Sequence, residues 1–456
     1  MSMQPVLNQQ PARCYQGLKL LNTLWDTTFT LWVTMLVSSI AVLINIGVIS
    51  QNAPQTLYAL GLFLPLNYIM IAIHEGLRIP ALRYSSQHYT DARNVIGTRL
   101  VLLFSAMVVL MVLLVGSVWL FQPGIAGLFH IATERQHDVM SFILPMLLVG
   151  IPIGCATLIL STLFGSGVNR FASLLGISGT GLNLAATWLA AMHWHQGLQS
   201  LIWGAMIGSS YLTLSGGALL YSRGIRFSLI GARREAIQVL NDIAFIGVPV
   251  AGSFLLLFGF LFSFSYLVSF YGASEIAGFG IAFRIQSFVI LPAIALGTAM
   301  AIHTNNAIAG QNFSLIRQIL FIGVGLSAAL YLVISVVVFL LQERMVILFT
   351  RDENVIIPAL RYLNCVSPSY LSLGVMLVLM TAQEQTGQGL RILLINTVFY
   401  ALEIGVAALL GLNHEDATRL YLVIAVMNWL SALYVVYELN KRLTAQVRLP
   451  PQEMQS

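Results

Sequence analysis

Long apolar stretches, separated by short polar segments, recur along the whole chain. A helix needs about 20 such residues to cross the hydrocarbon core of a bilayer. The pattern therefore predicts an all-α integral membrane protein with twelve spans, at residues 27–49, 57–80, 97–121, 140–163, 171–192, 201–221, 243–270, 276–302, 317–341, 357–382, 391–411 and 419–438.

The longest polar interruption, residues 221–242, falls at the midpoint of the chain and leaves six spans on each side. Its spaced apolar positions predict a helix that lies on the membrane surface. The segment "GLFHIATERQHDV" (127–139) precedes span four, and the similar "ILFTRDENV" (347–355) precedes span ten; a proline follows each final valine by thirteen residues. Because each half has an even number of spans, this repeat is predicted to be parallel.

The chain is expected to divide into two halves around this interruption. The predicted segments are an N-terminal segment with an amphipathic stretch, a first lobe, a linker, a second lobe and a tail, at 1–24, 25–222, 223–241, 242–440 and 441–456. Placing the N-terminus in the cytoplasm assigns fifteen basic residues to cytoplasmic segments and four to outer loops. That bias follows the positive-inside rule, so both termini are predicted to be cytoplasmic, in a bacterial inner membrane.

Composition supports the membrane assignment and excludes other classes. Hydrophobic residues make up 58% of the chain and charged residues 9%, with a mean hydropathy of +0.84; a soluble domain carries about 25% charged residues. The net charge of +5 is small, so no nucleic-acid partner is expected. The three cysteines, Cys14, Cys155 and Cys365, have neither metal-ligand nor disulfide-framework spacing, and no metal site is predicted.

The sequence contains no complete catalytic or nucleotide-binding motif. Lys19 and Lys441 are the two lysines, and neither follows a glycine-rich phosphate loop, so ATP is not expected to be a partner. "HEGLR" lacks the second histidine of a zinc-protease motif. The protein is therefore predicted not to be an enzyme and to need no cofactor beyond a coupling ion, H⁺ or Na⁺.

Ionisable residues inside spans are the candidate functional groups, because a charge at membrane depth is costly. In "IMIAIHEGLRIP" (69–80), His74, Glu75 and Arg78 fall within one helical turn of each other. They form either a locally satisfied ion pair with a hydrogen-bonding histidine or a protonatable site. Glu403 is the deepest acid and has no basic residue within a turn, so it is either protonated, with a functional role, or a buried hydrogen-bonding acid.

Three segments resemble the multidrug and toxic compound extrusion (MATE) family of the multidrug and polysaccharide flippase superfamily. They are "LFTRDENVIIPALRYL" (348–363), "GASEIAGFGIAFRIQ" (272–286) and "LNLAATWL" (182–189). The resemblance implies two pseudo-symmetric six-helix lobes that form a V around a central cavity, and export driven by a proton or sodium gradient. The resemblance suggests Asn45 and Asn183 as cavity positions. The other candidate cavity or substrate positions are Thr187, Arg78, Arg284 and Gln286.

The chain departs from the family pattern at the residues that couple transport to an ion gradient. Asn45 stands where the first helix of the family usually has an aspartate, and Thr187 stands where one branch has a second aspartate. No acid follows Pro249, where another branch has a glutamate. Coupling is therefore predicted to depend on Glu75, His74 and Glu403, with Glu75 favoured; sodium bound by asparagine and backbone oxygens is the alternative.

The predicted function is secondary active export of amphipathic organic compounds, such as drugs, toxins or secondary metabolites, by alternating access. The expected partners are a small organic substrate and the lipid bilayer, and the protein is predicted to be a monomer. Two alternatives remain open at this point. One is a flippase for lipid-linked oligosaccharides, whose cavity should be cationic, and the other is a membrane-embedded enzyme.

Overall fold

The computed structural model describes residues 10–52, 57–88, 93–128, 133–228, 231–411 and 417–448. Within these ranges the chain is helical apart from short turns, and none of it is β-strand. The predicted all-α fold class is confirmed. The predicted N-terminal segment and tail lie partly outside the described residues.

Fifteen α-helices occur in the described part of the chain. The first half contains α1 (Gln10–Asn52), α2 (Leu57–His88), α3 (Arg93–Leu120), α4 (Gln122–Leu128), α5 (Thr133–Gly165), α6 (Asn169–Met192) and α7 (Ser200–Ser222). The linker contains α8 (Ala232–Asp242). The second half contains α9 (Val248–Ser269), α10 (Ala273–Ala309), α11 (Phe313–Ile347), α12 (Glu353–Val366), α13 (Tyr370–Gln383), α14 (Gly389–Gly411) and α15 (Thr418–Arg448).

Ten helical runs in the described residues are long and apolar enough to cross a membrane. One of these runs, Glu353–Leu410, contains two predicted spans. The backbone of Gly387, with a φ of +103°, breaks the run between α13 and α14, so these two helices are separate spans. A further predicted span, α7, carries no charged residue, but its many glycines and serines keep its hydropathy low. Counting α14 and α7 separately gives the twelve spans of the fold.

The two halves of the chain pack their helices in the same order. In the first half α2, α3 and α5 pack against one another, and in the second half α10, α11 and the α12–α13 run do so. Pro152 lies within α5, and its repeat partner Pro368 lies in the short 3-10 turn Ser367–Ser369 that joins α12 to α13. This correspondence is the arrangement expected of a parallel repeat.

The helices form two compact units. Unit N comprises residues 33–255 and 387–393, and unit C comprises the residues up to 32, then 256–386, and those from 394 onwards. The boundaries between the units fall inside α1, α9 and α14 rather than in the linker. These units were found from contacts, and each contains residues from both halves of the chain. They therefore do not test the predicted lobes at 25–222 and 242–440, which stay a prediction.

Candidate functional site

Hydroxyl and amide side chains join α1 to α6 inside unit N. Thr34 donates to the hydroxyl of Ser173 over 2.7 Å, and Asn45 donates to the side-chain oxygen of Asn183 over 2.9 Å. Interhelical hydrogen bonds of this kind stabilise helix pairs in an apolar solvent. The two asparagines, which the family resemblance placed in the cavity, are therefore brought into direct contact.

Thr187 lies one turn beyond Asn183 on α6 and is fully buried. Its hydroxyl oxygen has no hydrogen-bond partner in the described structure, and neither has the side-chain oxygen of Asn45. Gly204 and Gly208 of α7 pack directly against this face, since a Cβ added to Gly208 would lie 2.8 Å from the Cβ of Asn183. The site thus holds two buried oxygen atoms that are free to accept a hydrogen bond or a cation.

The three ionisable residues of α2 are already engaged with other groups of unit N. Arg78 donates to Glu75 over 2.7 Å through its Nε, and a second guanidinium nitrogen lies 2.5 Å from the same oxygen. The His74 ring nitrogen lies 2.9 Å from the carbonyl oxygen of Gly150 on α5, in a buried position. The geometry is that of the locally satisfied interpretation: an ion pair, with the histidine bridging α2 and α5.

Glu403 occupies a different environment, inside unit C. It lies on α14 with 7% of its surface exposed, and no hydrogen bond or ion pair to it occurs in the described structure. It interacts electrostatically with Tyr362 and Tyr400, and the Tyr400 ring stacks on Phe260 at 4.7 Å. A carboxyl group in such surroundings is more stable uncharged, because burial without a partner penalises the charged form.

A second acid of unit C, Glu275, escaped the sequence analysis. It lies at the start of α10, is 5% exposed, and accepts hydrogen bonds from Arg361 over 2.9 Å and from the Tyr421 hydroxyl over 3.0 Å. The sequence did carry a signal, since Arg361 is an arginine at membrane depth with no acid within a turn of its own helix. Such an arginine requires a partner on another helix.

The two remaining predicted positions, both on α10, differ in burial and in hydrogen bonding. Gln286 is buried and accepts a hydrogen bond of 2.5 Å from the hydroxyl of Tyr362, so it links α10 to α12. Arg284 is exposed, and no ion pair or hydrogen bond from its side chain occurs in the described residues. Gln286 therefore has a packing role within unit C, and Arg284 has free donor groups.

The predicted site residues thus form three groups. Asn45, Asn183 and Thr187 lie together between α1, α6 and α7, and the α2 group lies in the same unit. Glu403 belongs to unit C, with Tyr362 as its neighbour. Among the described residues no group of three His, Cys, Asp or Glu side chains is placed to hold a metal ion.

Comparisons with known proteins agree on one family. The MatE family model matches residues 249–409. The arrangement of the helices also matches a crystal structure of the Vibrio cholerae MATE transporter VcmN, an aspartate-to-asparagine mutant, with a TM-score of 0.88, 17% identity, and coverage of 94% of this chain and 98% of that one. The chain is thus similar to the MATE family over residues 249–409, and nearly all of it has the fold of MATE transporters.

Two further proteins are similar to this chain. A transporter of the MOP superfamily from Pyrococcus furiosus matches with a TM-score of 0.84 and 18% identity, over 95% of this chain and 99% of that one. The "Probable multidrug resistance protein YoeA" of Bacillus subtilis is 25% identical over 129 residues, which is 28% of each chain. The match thus spans just over a quarter of YoeA, and the structural likenesses establish the fold.

Proposed function

We propose that the chain is a member of the MATE family and a secondary active exporter of amphipathic organic compounds, driven by a proton gradient through alternating access. The observation that carries the proposal is the likeness of nearly the whole chain to MATE transporters, together with the MatE match. The name of YoeA, a multidrug resistance protein, supports drug-like compounds as the substrate class. Because protons flow into the cell down their gradient, exchange of protons for substrate moves the substrate outward.

A proton gradient is sufficient for this work. One proton that crosses about 150 mV supplies roughly 3.5 kcal/mol, from about 2.3 kcal/mol per 100 mV. That free energy supports an uphill substrate gradient of about 300-fold per proton. Coupling requires a group that binds the proton with different affinity in the two conformations, because equal affinity would shift nothing.

We assign the proton to Glu403 rather than to Glu75, which the sequence had favoured. Arg78 neutralises Glu75 through two short contacts, whereas Glu403 has no ion-pair partner in the described structure. A buried acid without a partner binds a proton when its surroundings are dry and releases it when water reaches it. Tyr362, which interacts electrostatically with Glu403 and donates a hydrogen bond to Gln286, would transmit the change of charge to α10 and α12.

Sodium coupling is the second candidate, and a separate observation favours it. The side-chain oxygens of Asn45 and Thr187 are buried and have no hydrogen-bond partner in the part of the chain that the structure describes. Neutral oxygen atoms are suitable ligands for a hard cation such as Na⁺. In this alternative the ion would bind between α1 and α6, and Glu403 would be a buried structural acid.

Reconstitution of the purified protein into proteoliposomes tests the proposal. Uptake of a lipophilic cation such as ethidium should follow an imposed pH gradient in the absence of any nucleotide, and it should persist when sodium is equal on both sides. Uptake that requires ATP would exclude a secondary transporter, and uptake that follows the sodium gradient alone would establish the second candidate. Native mass spectrometry that finds a bound lipid-linked oligosaccharide would favour a flippase.

A further inference from the structure

The linker between the two halves of the chain is fixed to α3 by backbone contacts. Arg93 donates a hydrogen bond to the carbonyl oxygen of Arg223 over 3.2 Å, and Ile225 is fully buried. The carbonyl group of Arg226 comes so close to Gly97 that an added Cβ there would overlap it. The described part of the linker is therefore a fixed surface element of unit N.

Both acids of the linker interact with arginines of α2 and α3. Arg99 is buried, donates to Glu235 over 2.7 Å and to Asp242 over 3.2 Å, and also bonds the side-chain oxygen of Gln238. Its guanidinium lies 3.7 Å from the ring centre of Tyr84 on α2. Arg83 of α2 also interacts electrostatically with Asp242. Because Arg99 and Arg83 together balance the two carboxylates, these acids do not compensate the basic residues of the linker.

Three arginines of the linker remain exposed and uncompensated. Arg226, Arg233 and Arg234 are all exposed, and their side chains make no ion pair in the described structure. The linker thus presents several positive charges at the end of the membrane-spanning helices that the positive-inside rule predicts to be cytoplasmic. That leaflet carries anionic lipids and attracts such groups.

An apolar stripe runs along α8 beside these arginines and continues into α9. Ile237 is 66% exposed and Leu240 64%, and Phe245 and Val248, one and two turns further on, are 69% and 60% exposed. The helix therefore has an uncovered apolar face that is continuous with the lipid-facing surface of a membrane span. Such a face inserts at the boundary between headgroups and acyl chains.

We propose that the linker is a binding surface for anionic phospholipid headgroups of the cytoplasmic leaflet. Arg226, Arg233 and Arg234 hold the lipid phosphate groups through charge-assisted hydrogen bonds, while the apolar stripe of α8 rests among the acyl chains. The Arg99 contacts fix this surface to α2 and α3, so lipid binding stabilises unit N. The inference does not depend on the direction or coupling of transport.

Native mass spectrometry of the full chain in mixed micelles tests the proposal. With equal amounts of phosphatidylglycerol and phosphatidylcholine, the wild type should retain phosphatidylglycerol preferentially. The double variant R233Q/R234Q should bind it roughly 30-fold more weakly, at about 1 kcal/mol per basic residue. High salt should weaken the wild-type binding in the same way.

Two further variants make the result decisive. R233K/R234K keeps the charges and should retain the preference, whereas R317Q/K441Q removes two predicted cytoplasmic charges outside the linker and should leave it unchanged. Equal retention of both lipids by the wild type would overturn the proposal. Equal loss in the linker and control variants would also overturn it, because net charge alone would then account for the binding.

Discussion

Acids of the long helices differ in whether a basic side chain compensates them. Glu75 and Glu275 each pair with an arginine, at 2.5 Å and 2.9 Å, and Glu403 has no such partner among the described residues. In a low-dielectric interior, paired acids contribute to structure, and an unpaired acid is the group whose charge can change during a cycle. This difference, rather than depth in the membrane, is the reason for assigning coupling to Glu403.

The Glu275 network should be a determinant of stability. Replacing Glu275 by Gln removes the charge that compensates Arg361 but keeps an oxygen that can accept from Tyr421. We expect the free energy of unfolding to fall by about 1–3 kcal/mol, since the Arg361 guanidinium loses the carboxylate that pairs with it. Thermal unfolding in detergent measures this, and Glu343→Gln, at an exposed position on α11, should have no effect. Equal melting temperatures for the wild type and Glu275→Gln would show that the pair is dispensable.

Residue contacts were the least predictable level from the sequence. The resemblance to MATE proteins named Asn45 and Asn183, but their hydrogen bond joins positions 138 residues apart, which no local periodicity reveals. Glu275 and Arg361 are 86 residues apart and were missed as a pair for the same reason. Only the cost of a lone charge in lipid hints at such partners.

At the scale of elements, glycines set how closely helices approach. Gly76 of α2 faces Gly247, in the π-helical turn Ile243–Gly247 that precedes α9. A Cβ added to Gly76 would lie 2.8 Å from the Gly247 carbonyl oxygen, and one added to Gly247 would lie 2.5 Å from that of Gly76. Since both contacts involve backbone atoms, neither can be relieved by a side-chain rotation.

Gly76→Ala should therefore destabilise the contact between α2 and the start of α9. We expect overpacking to lower the free energy of unfolding by about 1–3 kcal/mol, which is measured as a lower melting temperature. Gly61→Ala is the matched control on the same helix, because no atom lies within 4 Å of its added Cβ, and it should leave stability unchanged or raise it by up to about 1 kcal/mol. Identical behaviour of the two variants would contradict the close packing at Gly76.

The helices were the level of structure that the sequence predicted best. Apolar stretches located the spans, because each must bury its backbone groups in a helix of membrane length. The split of span ten into α12 and α13 was not foreseen, since it depends on how the Ser367–Ser369 turn packs against α11 and α15. A helix in the linker was foreseen and is present as α8, but its attachment through Arg99 was not foreseen.

At the scale of the whole molecule, orientation in the membrane decides whether transport is export. In a cysteine-free background, single cysteines at His195 and Ala273, both exposed, should react with an impermeant maleimide added from outside. A cysteine at Asn241, exposed on α8, should react after the membrane is permeabilised. Outside labelling of position 241 in intact cells would reverse the predicted topology and remove the export assignment.

Proton flux driven by substrate is the most direct test of the central claim, that Glu403 couples export to protons. Proteoliposomes loaded with ethidium and diluted into substrate-free buffer, with sodium equal on both sides, should acidify inside, because an antiporter exchanges each departing substrate for protons. The wild type and the control Glu343→Gln should both show this acidification, reported by a trapped pH dye, and Glu403→Gln should abolish it. Acidification at the wild-type rate in Glu403→Gln, or none in the wild type, would contradict the account.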